Sequence, residues 1–125
     1  MKVVIIGASG FVGSYLAYEL ESAGHSVIKT DLPELDLLNA AQVDAFVANH
    51  SPDAVVNLAA ISSVRASWIY PTNTISVNVN GTLNLLEAVR KHAPKAKTLL
   101  IGSAEEYAIP KGYKALKETD PLGAS

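Results

Sequence analysis

Along the chain, short unbroken apolar runs alternate with longer stretches in which apolar residues recur every three or four positions. Val3-Val4-Ile5-Ile6, Ala54-Val55-Val56 with Leu58 beyond Asn57, and Thr98-Leu99-Leu100-Ile101 are runs of the first kind. Continuous rather than alternating runs predict strands buried on both faces. Ser26 to Thr30 predicts a further short strand, closed by Asp31. Helical spacing appears from Phe11 to Ala23, through Val12, Tyr15, Leu16, Leu20 and Ala23, and Gly24-His25 supplies the stop. A second helix is predicted from about Ala40 to Asn49, after the Pro33 break. A third runs from about Thr72 to His92, with an apolar face through Ile75, Val79, Leu83, Leu86 and Val89, ended by Ala93-Pro94. A polar stretch holds Ser62, Ser63, Arg65 and Ser67 and is followed by Trp68-Ile69-Tyr70-Pro71. The stretch from Ala108 to Ser125, which holds Pro110, Gly112, Pro121 and Gly123, has no clear period and predicts loop.

Strands and helices in strict alternation predict an open α/β sheet of parallel strands, because the crossover helices impose one handedness. The whole 125-residue chain suits one domain. Composition narrows the picture further. With 49% hydrophobic and 18% charged residues and a formal net charge of −2, the chain is neither disordered nor basic enough to favour nucleic acid. No apolar run reaches the roughly 18 residues of a membrane span, and no small-residue cleavage site follows the N-terminus. Cysteine is absent, so disulfides and thiol nucleophiles are excluded, and a cytoplasmic location is expected. His25, His50 and His92 each sit at a predicted helix end, where a cation suits the dipole better than a metal site does.

The chemistry concentrates at the first strand-to-helix junction, Gly7-Ala8-Ser9-Gly10-Phe11-Val12-Gly13. Gly7 allows a sharp turn off the strand, Gly10 leaves room for a pyrophosphate, and Gly13 lets the helix pack closely. Backbone N–H groups at the helix start then face the phosphates with the positive end of the dipole behind them, and Ser9, Phe11 and Val12 of this loop are expected to bind the cofactor. No Gly-Lys-Ser/Thr follows, which argues against a mononucleotide P-loop. Asp31, 24 residues after Gly7, is placed to accept the ribose hydroxyls of an adenosine half and to repel a 2′-phosphate. No arginine follows it in Leu32-Pro33-Glu34, so NAD is expected rather than NADP. Asp36-Leu37 would pass the adenine. These features together predict a Rossmann-type doubly wound sheet in strand order 3-2-1-4, with the fourth strand left as an apolar edge. Such an edge predicts that the fragment self-associates into a homo-oligomer.

The four segments Gly7–Gly13, Asn57-Leu58-Ala59-Ala60, Asn78-Val79-Asn80-Gly81-Thr82 and Gly102-Ser103-Ala104-Glu105-Glu106-Tyr107 together resemble the extended short-chain dehydrogenase/reductase (epimerase/dehydratase) family. Ser62-Ser63-Val64, Ser67-Trp68, Pro71 and Gly81-Thr82-Leu83-Asn84-Leu85-Leu86-Glu87-Ala88-Val89-Arg90 look like the part of that family acting on GDP-mannose derivatives. The resemblance implies that Leu58, Ala59 and Ala60 lie against the dinucleotide. It implies that Asn78 faces the site from the central helix and that Gly81 allows that helix to pack closely. It makes Ser103 the residue that hydrogen-bonds the reacting sugar oxygen, with Glu105 matching an acid/base glutamate of related dehydratases. Ala104 departs from the dehydratase pattern and tilts the expectation toward reduction of a 4-keto nucleotide sugar. A dehydratase, a 4-epimerase and a non-catalytic dinucleotide sensor remain open. The family's Tyr-x-x-x-Lys pair is matched in spacing by Tyr113 and Lys117. The acidic-Pro-Leu segment Asp120-Pro121-Leu122, however, comes after this pair, whereas the family places such a segment before its own. The expected pair therefore lies beyond Ser125, and the chain is expected to be the cofactor-binding part of a longer enzyme.

Overall fold

The computed structural model describes residues 1–60, 64–101 and 115–123. Four parallel strands form its sheet: β1 (Lys2–Ile6), β2 (Ser26–Thr30), β3 (Ala54–Asn57) and β4 (Lys97–Leu100). Their helices are α1 (Phe11–Ser22), α2 (Ala40–His50), α3 (Val64–Ile69), α4 (Pro71–Ile75) and α5 (Gly81–His92). A π-helical segment, Ser76–Asn80, joins α4 to α5.

The α/β class is as expected, but the strand order is not. The sheet runs β2-β1-β3-β4, so β1 lies between β2 and β3 and the predicted order 3-2-1-4 is corrected. The reason is the face on which each helix packs. Val3 and Ile5 of β1 point into one apolar core with Ala17 of α1, whereas Val4 and Ile6 point into the other with Val43 and Val47 of α2 and Leu85 of α5. With α2 on the face opposite α1, a right-handed crossover out of β2 must come back past β1 and pair on its far side. Both faces of β1 are covered, which is why its sequence shows no polar alternation. The chain therefore reverses direction across the sheet between β1 and β3.

Among the described residues β4 pairs with β3 alone and forms the sheet edge, as expected, but it is not the buried strand that its apolar run suggested: Leu99 and Leu100 are exposed. In α1 the inward residues are Gly13 and Ala17, flanked by half-buried Leu16 and Leu20, while Val12 and Tyr15 face outward. The long helix runs unbroken from Pro71 to His92, close to its predicted limits. Its buried stripe is Gly81, Leu85, Ala88 and Val89, however, and the apolar positions Ile75, Val79, Leu83 and Leu86 face away from the sheet. Two adjacent stripes of this helix are apolar, and the small residues Gly81 and Ala88 decide which one fits against the core. The polar stretch after Ser63 begins with the short helix α3.

The turns that organise the site are capped locally. Asn39 accepts the Gln42 N–H at 3.0 Å and starts α2, and Ser51 ends it in the left-handed region at φ 43°. His50 and His92 are the last residues of α2 and α5. His92 Nε2 lies 2.9 Å from Asp44 Oδ1, which ties the two helices together. The Met1 amino group lies 3.2 Å from His25 Nδ1.

Candidate functional site

A cleft of about 730 Å³ opens at the carboxyl ends of the strands. It is lined by Gly7, Gly10, Phe11, Val12 and Gly13 from the loop after β1, and by Asn57, Leu58, Ala59 and Ala60 from the end of β3. Asn78 and Thr82 of the long helix and Leu100 and Ile101 at the end of β4 close it. This is the point where the strand order reverses, the place where two successive crossovers leave the sheet in opposite directions and leave a crevice between them. A second hollow of about 620 Å³, around Met1, Asp53, His92 and Lys97, lies at the opposite edge and has no glycine loop or helix start.

The glycine loop is shaped by contacts that leave no room for side chains. Gly7 has φ +80°, and a Cβ there would fall 2.9 Å from the Ala59 amide nitrogen. The two loops that line the cleft are therefore in backbone contact. A Cβ at Gly13 would fall 2.6 Å from the Ala8 carbonyl oxygen, so α1 starts directly against the loop that precedes it. A Cβ at Gly10 would meet only Gly7 O at 3.5 Å, leaving the cleft side of this residue open. Gly10 is also the N-cap of the 12-residue α1 and makes no side-chain cap bond, so the helix offers its positive end to the cleft. A phosphate is the group that such a cradle accommodates.

Two stitches hold this loop to the end of β2. The Gly7 and Ala8 N–H groups both donate to Thr30 O, at 2.9 and 3.2 Å. Ser9 then donates from its hydroxyl, and at 3.3 Å from its N–H, to Asp31 Oδ2, while the Leu32 N–H donates to Asp31 Oδ1 at 2.9 Å. The Ser9 hydroxyl, followed by these amides, holds the Asp31 carboxyl below its ordinary value despite partial burial. On the β3 side, Asn57 is buried and accepts the Ala59 N–H at 3.0 Å, and the Leu58 N–H donates to Ile6 O at 2.8 Å. Ala59 and Ala60 come directly after this turn and line the cleft with small side chains. From the long helix, Thr82 Oγ1 donates to Asn78 O at 2.7 Å across the end of the π segment. An irregular turn at this depth places both residues at the cleft.

Of the residues singled out in the sequence, Gly7, Gly10, Phe11, Val12, Gly13, Leu58, Ala59, Ala60 and Asn78 line one cleft. Ser9 and Asp31 pair with each other on the outer side of the loop. Asp36 and Leu37 stand apart. The Asp36 carboxylate accepts the Leu38 N–H at 3.0 Å in its own turn, and the Leu37 side chain is buried in the core beside Gly81. The backbone of this turn is also tied to the helix, where Asn84 Nδ2 donates to Leu37 O at 2.8 Å. Ser103 and Glu105 lie outside the described residues, as do Ser62, Ser63, Tyr107 and Tyr113. Lys117 lies on irregular backbone, its N–H donating to Asp120 Oδ2 at 2.7 Å. Asn57, Thr82, Leu100 and Ile101 were not anticipated as lining residues. The signal for Leu100 and Ile101 was the parallel sheet itself, which brings the ends of β3 and β4 to one edge.

The sequence model of the NAD dependent epimerase/dehydratase family matches residues 3–125. The chain is 32% identical over 122 residues to a dTDP-4-dehydrorhamnose reductase of Aggregatibacter actinomycetemcomitans, covering 95% of this chain and 40% of that protein. It is 33% identical over 106 residues to GDP-L-fucose synthase 1 of Arabidopsis thaliana, covering 82% of this chain and 32% of that protein. The solved structure of the Thermus thermophilus UDP-glucose 4-epimerase complexed with NAD superposes with a TM-score of 0.85 at 30% identity, covering 99% of this chain and 45% of that one. The chain thus spans less than half the length of each of these relatives. Glycine cradle, reversal of the strand order and family match all agree: the chain belongs to the NAD dependent epimerase/dehydratase family.

Proposed function

We propose that the chain binds NAD along the carboxyl edge of its sheet as the cofactor-binding part of a nucleotide-sugar oxidoreductase. The observation that carries this reading is the glycine cradle opening into a cleft walled by Ala59 and Ala60, with the paired Ser9 and Asp31 beside it. Gly10 and the first amides of α1 hold the pyrophosphate there, and Asp31 accepts hydroxyls of the adenosine ribose. Ala59 and Ala60 let the dinucleotide lie flat, and Asn78 and Thr82 position its far half from the central helix. The bound dinucleotide supplies hydride chemistry.

Within this class we favour reduction of the 4-keto group of a GDP-6-deoxy-hexose. By the family resemblance, Ser103 is the residue that hydrogen-bonds and polarises the reacting sugar oxygen, and Glu105, two positions on in the sequence, follows Ala104 rather than the polar residue that dehydratases place before theirs. The names of the relatives support the coarser chemistry, since a 4-epimerase and a 4-dehydro-sugar reductase both act at carbon 4 of a nucleotide-linked hexose. The Arabidopsis relative, named for GDP-L-fucose, supports the guanosine nucleotide. The Thermus epimerase supports UDP-sugar 4-epimerisation as a second reading with equal force.

Titration calorimetry with NADH tests the first proposal. Saturable binding that Gly10→Val abolishes is expected, and heat-free titrations of the folded chain would overturn it. For the second, the coding sequence is read in frame past codon 125, and where a Tyr-x-x-x-Lys pair follows, the products of the longer protein are analysed by chromatography. NADH consumption with GDP-4-keto-6-deoxy-mannose supports the reductase, and interconversion of UDP-glucose and UDP-galactose without net NADH consumption supports the epimerase. The 125-residue chain itself is expected to turn over neither, and steady turnover would assign the proton donor to Tyr113 with Lys117.

A further inference from the structure

The Asp31 carboxylate is tied down unusually well for a residue in the first turn after a strand. Leu32, Pro33 and Glu34, which follow it, are exposed and could not hold it by packing. Instead Oδ2 accepts from the Ser9 hydroxyl and the Ser9 N–H, and Oδ1 accepts from the Leu32 N–H. A carboxylate oxygen takes about two donors, so Oδ2 is filled by Ser9 and Oδ1 keeps one place. The Ser9 oxygen, having donated its only hydrogen, keeps lone pairs of its own. The pair therefore presents two acceptors and no side-chain donor.

We propose that Ser9 is a specificity-determining residue of this site: by committing its hydroxyl hydrogen to Asp31 it fixes the carboxylate and leaves a surface that accepts a ribose diol and rejects a ribose 2′-phosphate. This inference rests on the cofactor reading above and deepens it. A diol brings hydrogens for Asp31 Oδ1 and Ser9 Oγ. A 2′-phosphate brings negative charge and acceptor oxygens, and meets an ionised carboxylate beside a hydroxyl whose hydrogen is already taken. The loop cannot slide away to relieve this, because Gly7 and Ala8 are bonded to Thr30 O one residue before Asp31. The depressed Asp31 pKa agrees with the arrangement, since the Ser9 hydroxyl is its largest cause.

The test compares NADH and NADPH affinity by calorimetry in the wild-type chain and in Ser9→Ala, Ser9→Thr, Asp31→Asn and the Ser9→Ala/Asp31→Asn double variant. Ser9→Ala is expected to contract the NADH-over-NADPH preference about five- to tenfold, mainly by weakening NADH, as loss of a hydrogen bond to a charged group implies. Ser9→Thr, which keeps the hydroxyl, should restore the preference. In the Asp31→Asn background, Ser9→Ala should contract it no further. An unchanged preference in Ser9→Ala overturns the proposal, even if both affinities fall, because Ser9 then serves the pyrophosphate or the loop alone. The contact is also read without any dinucleotide: the Asp31 carboxyl resonance should titrate at higher pH in Ser9→Ala than in wild type, and an unchanged midpoint overturns the proposal by itself. A shifted midpoint in a wild-type chain that binds neither dinucleotide overturns the specificity role while locating the failure in the cofactor reading. Should Ser9→Ala fail to fold, Ser9→Cys, close in size and a weak donor, takes its place with the same expected outcomes.

Discussion

At Gly13 the missing side chain is required by backbone rather than by a flexible neighbour. The Cβ of Gly13→Ala would meet the Ala8 carbonyl oxygen and Cα at 2.6 and 2.7 Å, and neither can rotate away. Alanine would gain about 1 kcal/mol in helix propensity, against an overpacking cost of about 3 kcal/mol. Urea denaturation should therefore show Gly13→Ala about 2 kcal/mol less stable than wild type, and NADH binding should be lost with the displaced loop. Asp31 gives a pH-dependent counterpart. Its pKa is lowered in the folded chain, so its contribution to stability is complete above the unfolded value of about 3.9 and is lost as pH falls through the lower folded value. Asp31→Asn should thus be less stable than wild type at pH 7, with the difference shrinking on acidification below about pH 4. A difference that grows on acidification would contradict the Ser9 and Leu32 contacts. Gly7, Gly10, Gly13 and Asp31 were legible in the sequence because backbone reach and charge are local requirements. The Ser9–Asp31 pair was not, since the two residues were singled out separately and only the stitching of the loop to β2 brings them together.

The long helix shows what periodicity can and cannot decide. Its extent, Pro71 to His92, follows from apolar spacing and from the Ala93-Pro94 stop, but its buried face does not. Leu85 is 1% exposed, whereas Leu83 is 55% exposed. Leu85→Ala should cost about 3 kcal/mol through the cavity it leaves. Leu83→Ser should change stability by less than about 0.5 kcal/mol in this chain. Thermal unfolding of the two variants measures the contrast, and equal losses would mean that the other stripe faces the core. Gly81 sits on the buried side, where a Cβ would come 3.1 Å from Leu37 Cβ, and one turn later Asn84 bonds Leu37 O. The Asp36–Leu38 turn is thereby docked onto α5, and Asn84→Ala is expected to weaken binding of AMP more than that of nicotinamide mononucleotide. Equal effects on the two half-ligands would show that the turn does not serve the adenine end.

For the molecule as a whole, the outer edge of β4 is the exposed feature with a physical consequence. Leu99 and Leu100 stand open on a strand that is paired on one side only among the described residues, and Ile101 just past its end is exposed as well. An unpaired apolar edge is a template for another chain, so light scattering of the 125-residue chain should show concentration-dependent association that Leu99→Lys reduces. A monomer at all concentrations would count against it. The main strands and helices, the parallel α/β class and the glycine cradle were legible in the sequence, because apolar runs, helix stops and close backbone approach are written in neighbouring residues. Tertiary structure alone decided that β3 returns to the far side of β1, which face of the long helix is buried, and that Asn57, Thr82, Leu100 and Ile101 share a cleft with the glycines. Those outcomes depend on which sheet face each helix covers, a choice made by packing between residues far apart in the chain.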